Sequence, residues 1–185
     1  MKKIIADEAA VGRMLDRLAC EIIERHPDMN EYRLVGIKTR GAFIAKRLQE
    51  RIAAVCGARP QLAELDITLY RDDLTQVAQD PQLKSSGLGT DIDGKTVILA
   101  DDVLYTGRTV LCALNALASF GRARKVEFLT MVDRGHHQLP LCADFMGRFV
   151  PTGDEDIIHV HLKERDGDDK IVHNIGGQKE AARRF

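Results

Sequence analysis

Two adjacent acids and a glycine-containing turn stand in one stretch of the sequence, Val97–Thr109, which reads VILADDVLYTGRT. Four apolar residues lead into Asp101 and Asp102, and a helical pattern begins soon after the turn, at Val110. A helix start has unpaired backbone N–H groups and the positive end of the helix dipole, so it binds anions. Gly107 lets the backbone approach a ligand closely. Because the acids repel phosphate but suit hydroxyl donors or a metal, the stretch predicts a site for a phosphorylated sugar.

A second anion site is predicted after another short apolar strand, at Lys38-Thr39-Arg40-Gly41. The segment provides two cations, a hydroxyl donor and a flexible glycine, which suit a multiply charged anion such as pyrophosphate. Since loops that follow parallel strands gather at one edge of a sheet, this loop and the Asp101–Thr109 loop are expected side by side. Together they predict a ligand in which one sugar is phosphorylated at two ends.

Strand and helix patterns alternate along the chain, which predicts an α/β fold with a parallel sheet flanked by helices. The predicted helices span residues 7–26, 42–55 and 109–120, and the predicted strands span residues 33–38, 62–70, 96–101, 125–132 and 157–162. Residues 71–94 hold no periodic pattern. A run of this length is typical of a functional lid or a mobile loop, with a tolerated insertion as the alternative.

The overall composition is that of an ordinary globular chain. With 185 residues, of which 44% are hydrophobic and 30% charged, it is long enough for one domain with a substantial core. A net charge of −1 gives no general attraction to nucleic acid, although a local basic face stays open. There is no apolar run of membrane-spanning length and no secretory signal pattern, so a cytoplasmic protein is predicted.

The cysteines and two histidines have alternative interpretations. Three of the four cysteines have apolar neighbours, which predicts buried thiols in a reducing compartment rather than disulfides or a zinc site. The cysteines are Cys20, Cys56, Cys112 and Cys142. His159 and His161 would share one face of a strand, a spacing that could bind metal, but no third ligand is evident. Polar positions on an exposed strand are the favoured interpretation.

Four segments of the sequence resemble one known family. VILADDVLYTGRT is similar to the 5-phosphoribosyl 1-diphosphate signature of type I phosphoribosyltransferases. The segments VGIKTRGAFIAKRL, ITLYRDDL, DDVLYTGRTV and VDRGHHQLP resemble, in the same order, the pyrimidine-operon regulator family (PyrR). The resemblance implies the type I phosphoribosyltransferase fold as a single domain over residues 1–175. It further implies a small hood region mainly at 133–165, a mobile loop at 71–94 and a loose tail at 176–185.

The same resemblance implies the roles of the two loops. Asp101 and Asp102 hold the ribose hydroxyls and, through water or substrate, Mg²⁺ that is bound to the substrate. Lys38, Thr39, Arg40 and Gly41 hold the pyrophosphate, and the expected catalytic residues are Asp101, Asp102 and Arg40. The residues expected around the ribose and its 5-phosphate, besides the two acids, are Leu104, Tyr105, Thr106, Gly107, Arg108 and Thr109.

The base pocket is expected at Asp133, Arg134, Ile157 and Ile158. Arg134 has an equal alternative as a structural ion-pair partner of Asp133. In the purine-using relatives an acid occupies the position of Tyr105, so the tyrosine favours uracil as the acceptor.

Family members combine a uracil phosphoribosyltransferase with an RNA-binding attenuator of pyrimidine-operon transcription. His136 and Arg148 match the RNA face of the family, whereas Asp16, Cys20 and His137 depart from it. An acid at position 16 would repel phosphate. A nearby basic group could extend an RNA face or be an ordinary solvated turn; its members are Arg122, Arg124 and Lys125.

Three functions therefore follow from the sequence. The first is a transferase that makes UMP and pyrophosphate from uracil and 5-phosphoribosyl 1-diphosphate, with RNA regulation as an added role. The second is a non-enzymatic attenuator that senses UMP and binds leader mRNA, and the third is a transferase for another base such as hypoxanthine. The family resemblance also implies a homodimer or higher homo-oligomer.

Overall fold

The structure, a computed structural model, describes residues 1–67 and 92–176. Within these ranges five strands form one sheet in the order β3-β2-β4-β5-β6, and each neighbouring pair is parallel. The strands are β2 (Tyr32–Ile37), β3 (Gln61–Leu65), β4 (Thr96–Leu104), β5 (Lys125–Asp133) and β6 (Phe145–Phe149). The predicted parallel α/β sheet is confirmed.

Three long helices cover the sheet: α1 (Glu8–Arg25), α2 (Arg40–Cys56) and α3 (Arg108–Ala118). Each begins and ends within two residues of its predicted bounds. The carboxylate of Asp7 accepts the Ala10 N–H at 2.8 Å and so caps the start of α1. Gly57, at φ 71°, takes the left-handed conformation that ends α2.

The core lies on both faces of the sheet, because side chains alternate along buried parallel strands. Leu34 and Ile98 point into the core beneath α1 and α2, whereas their neighbours Val35 and Leu99 point into the core beneath α3. Burial on both faces explains why β2 and β4 read as nearly continuous apolar runs in the sequence.

A second, antiparallel sheet has the order β1-β8-β7 and is formed by β1 (Lys2–Ala6), β7 (Ile157–His161) and β8 (Lys170–Asn174). A one-turn helix, α4 (Lys163–Asp166), joins β7 to β8. Ile158, Val160 and Ile171 extend this sheet into the core beneath α1 and α2. The range 133–165 expected for the hood is divided between the two sheets. Strand β7 belongs to the second sheet and is followed by α4, whereas β6 forms an edge of the main sheet.

Several local expectations differ from the structure. Strand β4 continues to Leu104 instead of ending at Asp101, because Val103 and Leu104 pair with β5 as the preceding residues do. Strand β3 ends at Leu65, although the alternating pattern predicts a longer strand. Residues 71–91 of the predicted mobile loop and residues 177–185 of the predicted tail lie outside the described residues.

The expectation of buried cysteines is wrong. Cys20, Cys56 and Cys142 are exposed, Cys112 is half-buried, and all four are free thiols. Cys20 has buried neighbours on α1, but one residue of helix rotation turns it to the outer face. Apolar neighbours in sequence therefore misjudge burial on a helix.

In the described ranges, the helices are all too short or too polar to span a lipid bilayer.

Candidate active site

The two predicted anion loops are neighbours in the structure. Strands β2 and β4 lie side by side in the main sheet, and β3 continues the sheet on the far side of β2. Such a reversal of strand order creates a crevice at the carboxyl ends of the strands, where α/β proteins bind ligands. The loop after β2 is Lys38–Gly41, and the loop after β4 is Tyr105–Gly107. Sequence reasoning placed both loops correctly.

Gly41 allows these two loops to approach each other. A Cβ atom at this position would overlap the carbonyl oxygen of Ala100 in β4. Gly36 of β2 has the same property, because its Cβ would overlap the backbone of Gly41 and Ala42 at the start of α2. The first turn of α2 therefore lies directly against the strands that carry the acids.

Asp101 and Asp102 stand near the carboxyl end of β4, where Asp101 is buried and Asp102 is half-buried. Each carboxylate accepts the N–H of the next residue: Asp101 Oδ1 from Asp102 at 2.9 Å, and Asp102 Oδ1 from Val103 at 3.0 Å. Burial raises the pKa of Asp102, while the positive charge of Arg40 opposes the rise. The acid pair is thus held in place by hydrogen bonds from its own backbone.

The predicted phosphate loop leads into α3 through a glycine in the left-handed conformation. Gly107 has φ 88° and occupies the position before α3, and as a glycine it has no side chain that could cap the helix. Gln138 braces the loop, because its N–H donates to the Thr106 carbonyl at 3.1 Å and its side chain accepts from Arg108 at 3.2 Å. Gln138 therefore holds in place the loop that leads into the first turn of α3, whose N–H groups could bind an anion.

The two cations of the Lys38–Gly41 loop pair with acids. Lys38 Nζ lies 3.7 Å from Glu64 and 3.9 Å from Asp66, both at the end of β3. Arg40 lies between Asp102, whose Oδ2 is 4.0 Å from Nε, and Asp166, whose Oδ1 accepts from Nη2 at 3.0 Å. An arriving anion would compete with these carboxylates for the cations. The Lys38–Thr39 peptide bond is cis.

Arg134 is tied to the phosphate loop rather than to Asp133. It is buried, and it donates to the Thr152 hydroxyl at 3.0 Å and the Gly153 carbonyl at 3.1 Å. Its guanidinium carbon lies 4.0 Å from the centre of the Tyr105 ring. The ion-pair alternative for Arg134 is therefore not the observed arrangement.

The other residues expected at the base pocket divide between two environments. Asp133 is buried and accepts from the Gly135 N–H at 2.8 Å, and one oxygen lies 2.9 Å from His137 Nε2. Ile158 is buried in the core, whereas Ile157 on the opposite face of β7 is half-buried. Of the two isoleucines, only Ile157 is on the strand face that also carries His159.

The residues matched to an RNA face are engaged within the chain. His136 Nε2 is 2.6 Å from the Thr152 carbonyl oxygen, and its Nδ1 is 3.1 Å from Asp154. Arg148 donates to the carbonyl of Ile5 at 2.6 Å and so joins β6 to β1. A nucleic acid would have to share or replace these contacts.

Two of the positions that depart from the family pattern, Asp16 and Cys20, are exposed on α1. Asp16 is exposed on α1, and its carboxylate accepts from Arg51 Nε at 2.8 Å, which reduces its repulsion of an approaching phosphate. Cys20 lies exposed on the same helix.

Sequence reasoning missed Asp166 as a residue near the acids. It considered His159 only as a metal ligand or an exposed strand position, not as a neighbour of Asp102 and Arg40. Asp166 contacts Arg40 across 126 positions of sequence. Burial, together with the charges of His161 and Arg40, lowers the pKa of His159, while Asp102 acts in the opposite direction. Neither residue stands in a recognisable motif. Only the packing of β7 and α4 near β4 and α2 brings them to the site.

Comparisons with known proteins agree with this arrangement. The phosphoribosyl transferase domain family matches residues 2–165. A relative named bifunctional protein PyrR, from Elusimicrobium minutum, is 53% identical over 172 residues, which cover 93% of this chain and 96% of the relative. The protein of the same name from Halalkalibacterium halodurans is 47% identical over 174 residues, which cover 93% and 97%. This chain belongs to the PyrR family of phosphoribosyltransferases.

Solved structures of distant phosphoribosyltransferases share the PyrR-family fold seen here. A hypoxanthine phosphoribosyltransferase from Staphylococcus aureus has a TM-score of 0.69 at 19% identity, covering 94% of this chain and 92% of that chain. A hypoxanthine phosphoribosyltransferase from Trypanosoma cruzi has a TM-score of 0.70 at 15% identity, covering 92% and 89%. At such identities the likeness concerns the fold, and it confirms the type I phosphoribosyltransferase architecture.

Proposed function

We propose that this chain transfers the phosphoribosyl group of 5-phosphoribosyl 1-diphosphate to uracil, with UMP and pyrophosphate as products. The observation that carries the proposal is the pairing of two anion loops at the crevice between β2 and β4, with two acids beside them. Membership of the PyrR family supports the same reaction. In this assignment residues 105–109 hold the 5-phosphate, Asp101 and Asp102 hold the ribose hydroxyls, and residues 38–41 hold the pyrophosphate.

The reaction is a displacement at the anomeric carbon of the ribose. The bond from this carbon to the pyrophosphate oxygen breaks, a bond to N1 of uracil forms, and the N1 proton is released. The transition state resembles an oxocarbenium ion, so negative charge develops on the leaving pyrophosphate and positive charge on the sugar. Arg40 and Lys38 suit the leaving group, and the acid pair Asp101 and Asp102 suits the sugar.

The acids also fit the Mg²⁺ that the family uses with its substrate. Carboxylate oxygens are preferred Mg²⁺ ligands, and the ion usually keeps several waters and binds few protein groups. Among the described residues, His, Cys, Asp and Glu side chains form no cluster of three suited to a metal. This donor set therefore fits an ion that arrives with the diphosphate, where it would neutralise charge on the leaving group.

Tyr105 and Arg134 support uracil as the acceptor. An acid at position 105 would offer a purine a hydrogen-bond acceptor, but the tyrosine ring is covered by the Arg134 guanidinium. The base pocket proposed here is formed by Asp133, Arg134 and Ile157 of β7, whereas Ile158 points into the core and is not part of the pocket. Another base such as hypoxanthine is the competing acceptor.

An assay of UMP formation from uracil, 5-phosphoribosyl 1-diphosphate and Mg²⁺ tests the proposal. The purified protein is expected to make UMP, and the double variant with Asp101→Asn and Asp102→Asn is expected to make none. Glu50→Gln, at an exposed position of α2, is the control and should keep full activity. The absence of UMP with the unaltered protein would refute the transferase, and faster use of hypoxanthine than of uracil would refute the base assignment.

The second candidate function is UMP-dependent binding of pyrimidine-operon leader mRNA, with His136 and Arg148 on the RNA face. The observation that favours it is the name of the relatives at 47–53% identity, which calls them bifunctional. A gel shift with leader RNA should appear at low salt and strengthen with UMP, while a scrambled RNA should not shift. A leader RNA that behaves like the scrambled control would eliminate this function.

We also propose that the chain acts in the cytoplasm, where its substrates and a leader transcript would be found, as a homodimer or a higher homo-oligomer. Sedimentation equilibrium, with and without UMP, measures that state directly. A purely monomeric species at micromolar concentration would contradict it.

A further inference from the structure

The side chain of Arg40 is held from two sides. Its Nε lies 4.0 Å from Asp102 Oδ2, and its Nη2 donates to Asp166 Oδ1 at 3.0 Å. The Nε atom is buried, and within residues 1–67 and 92–176 it has no hydrogen-bond partner. An unmatched buried donor of this kind is costly unless a ligand uses it. Arg40 thus has one donor bound to Asp166, while its buried Nε donor is unmatched in the described residues.

Asp166 is itself fixed in place. Its Oδ2 accepts the backbone N–H of Leu162 at 2.9 Å, and its Oδ1 faces Arg40. Burial opposes ionisation, but the Leu162 N–H and the Arg40 guanidinium together hold the pKa of Asp166 below its usual 3.8. The carboxylate is therefore charged at neutral pH, and it pulls Arg40 away from Asp102.

We infer that Asp166 is a positioning residue for pyrophosphate binding: it keeps the Arg40 guanidinium apart from Asp102, so that its positive charge stays available to the diphosphate. Without the pull of Asp166, Arg40 would close the 4.0 Å gap to Asp102. The cation needed by the pyrophosphate and the carboxylate needed by the ribose would then neutralise each other. This inference rests on the proposed function, because it uses the assignment of Arg40 to the pyrophosphate.

The chain contains a matched pair of contacts that serves as a control. Asp169 also accepts a backbone N–H near α4, from Lys163 at 2.8 Å, and also binds an arginine of α2. That arginine is Arg47, which contacts Asp169 at 2.8 and 3.0 Å. Asp166 and Asp169 therefore join the same two helices by the same kind of double contact. Only Asp166 engages the arginine next to the acid pair.

The test compares Asp166→Asn with Asp169→Asn. An amide oxygen can still accept the backbone N–H in each variant, so both should fold, with similar small losses in Tm. We expect Asp166→Asn to raise the KM for 5-phosphoribosyl 1-diphosphate and to lower its kcat/KM about tenfold, the effect of one charge-assisted hydrogen bond. The KM for uracil should change little. Asp169→Asn should change all these constants less than about twofold, because its partner Arg47 is bound by Glu164 as well and does not contact the acid pair.

Two further variants separate positioning from simple loss of stability. In an Arg40→Gln background, Asp166→Asn should cause no additional loss, because the residue acts through Arg40. Asp166→Glu restores the charge and should recover part of the loss. Equal losses in the Asp166 and Asp169 variants, or a full additional loss in the Arg40→Gln background, would overturn the inference.

Calorimetric binding of 5-phosphoribosyl 1-diphosphate with Mg²⁺ separates this inference from the choice of base. If the protein binds the diphosphate but makes no UMP, the proposed reaction fails and the Asp166 comparison still decides the inference. The inference predicts tighter binding by the unaltered protein and by Asp169→Asn than by Asp166→Asn. Equal binding by all three proteins, or no binding by the unaltered protein, refutes it.

Discussion

The guanidinium carbon of Arg134 lies 4.0 Å from the centre of the Tyr105 ring, which connects the segment after β5 to the loop after β4. Arg134 is held at its other end by the Thr152 hydroxyl and the Gly153 carbonyl. The imidazole of His136 packs edge-on against the same tyrosine, with ring centres 5.8 Å apart. The proposed acceptor side of the site and the phosphate loop thus share one aromatic side chain.

This contact predicts how the loop tolerates substitution. Tyr105→Phe keeps a ring face for the guanidinium and should retain uracil activity, whereas Tyr105→Leu removes the ring and should raise the KM for uracil several-fold. Arg134→Met should raise the same KM and lower the stability by about 2 kcal/mol, because it removes the two hydrogen bonds of a buried side chain to Thr152 and Gly153. Steady-state kinetics and urea unfolding measure the two effects. Equal uracil KM values in all four proteins would separate Tyr105 from the base pocket.

Asp102 predicts an opposition between stability and activity. Burial raises its pKa against the influence of Arg40, so the folded protein binds a proton more readily than the unfolded chain does. The ionised carboxyl of Asp102 therefore lowers the free energy of unfolding. This loss of stability grows as the pH rises from 3.8, the pKa in the unfolded chain, to the higher pKa in the folded protein. Asp102→Asn should raise the Tm at pH 8 while abolishing transfer. Thermal unfolding across pH should show this advantage shrinking on acidification; an advantage that grew instead would contradict the sign.

Gly41 and Gly12 predict opposite results for the same substitution. Gly41→Ala places a methyl group against the Ala100 carbonyl, so the first turn of α2 must shift; overpacking of this kind costs about 1–3 kcal/mol. Gly12 lies in α1 with no other atom within 4 Å of its added Cβ. Gly12→Ala should stabilise the protein by about 1 kcal/mol, the helix propensity difference. Urea midpoints decide both, and UMP formation should fall only in the Gly41 variant.

Asp156 predicts part of the acid sensitivity. The N–H groups of Gly176 and Gly153, followed by His173, lower its pKa from 3.8 to about 2. The ionised Asp156 carboxylate stabilises the folded protein fully above pH 3.8, and this stabilisation is lost as the pH falls through about 2. Asp156→Asn should lower the Tm at pH 7, and its difference from the unaltered protein should narrow between pH 4 and pH 2. A difference that stays constant over that range would show that the charge is not the cause.

The stretch Val97–Thr109 was predictable because its information is local. Each of its parts can be recognised from a few consecutive residues. These parts are a buried apolar run, an acid pair, and a glycine turn before a periodic helix. The position of the KTRG loop after a buried strand was predictable for the same reason. The end of β4 was misplaced because charged residues usually end a strand, and here pairing with β5 carries the strand past both acids.

Of the second sheet only β7 was predicted, as a strand over residues 157–162, because β1 and β8 carry little pattern. Four of the five residues of β1 are not buried, and β8 is too short to show an alternation. The edge strand β6 hides its pattern in the same way, with a glycine in its centre and one fully buried residue, Phe145. The role of Asp166 could not be predicted because it depends on a contact with Arg40, which is 126 positions away in sequence. Such contacts are decided by tertiary packing.

The pairing of β1 with β8 has a consequence for biosynthesis. Met1 and Ile175 exchange backbone hydrogen bonds, although 174 positions separate them. The ribosome synthesises β1 long before its partner strand β8. The strand β1 therefore stays unpaired while the strands of the parallel sheet are synthesised. Late pairings between remote segments are slow because loop closure precedes any stabilising contact. A nascent chain that already has both anion loops would therefore remain without the Asp166 contact to Arg40 until α4 emerges, and catalytic competence would come late in translation.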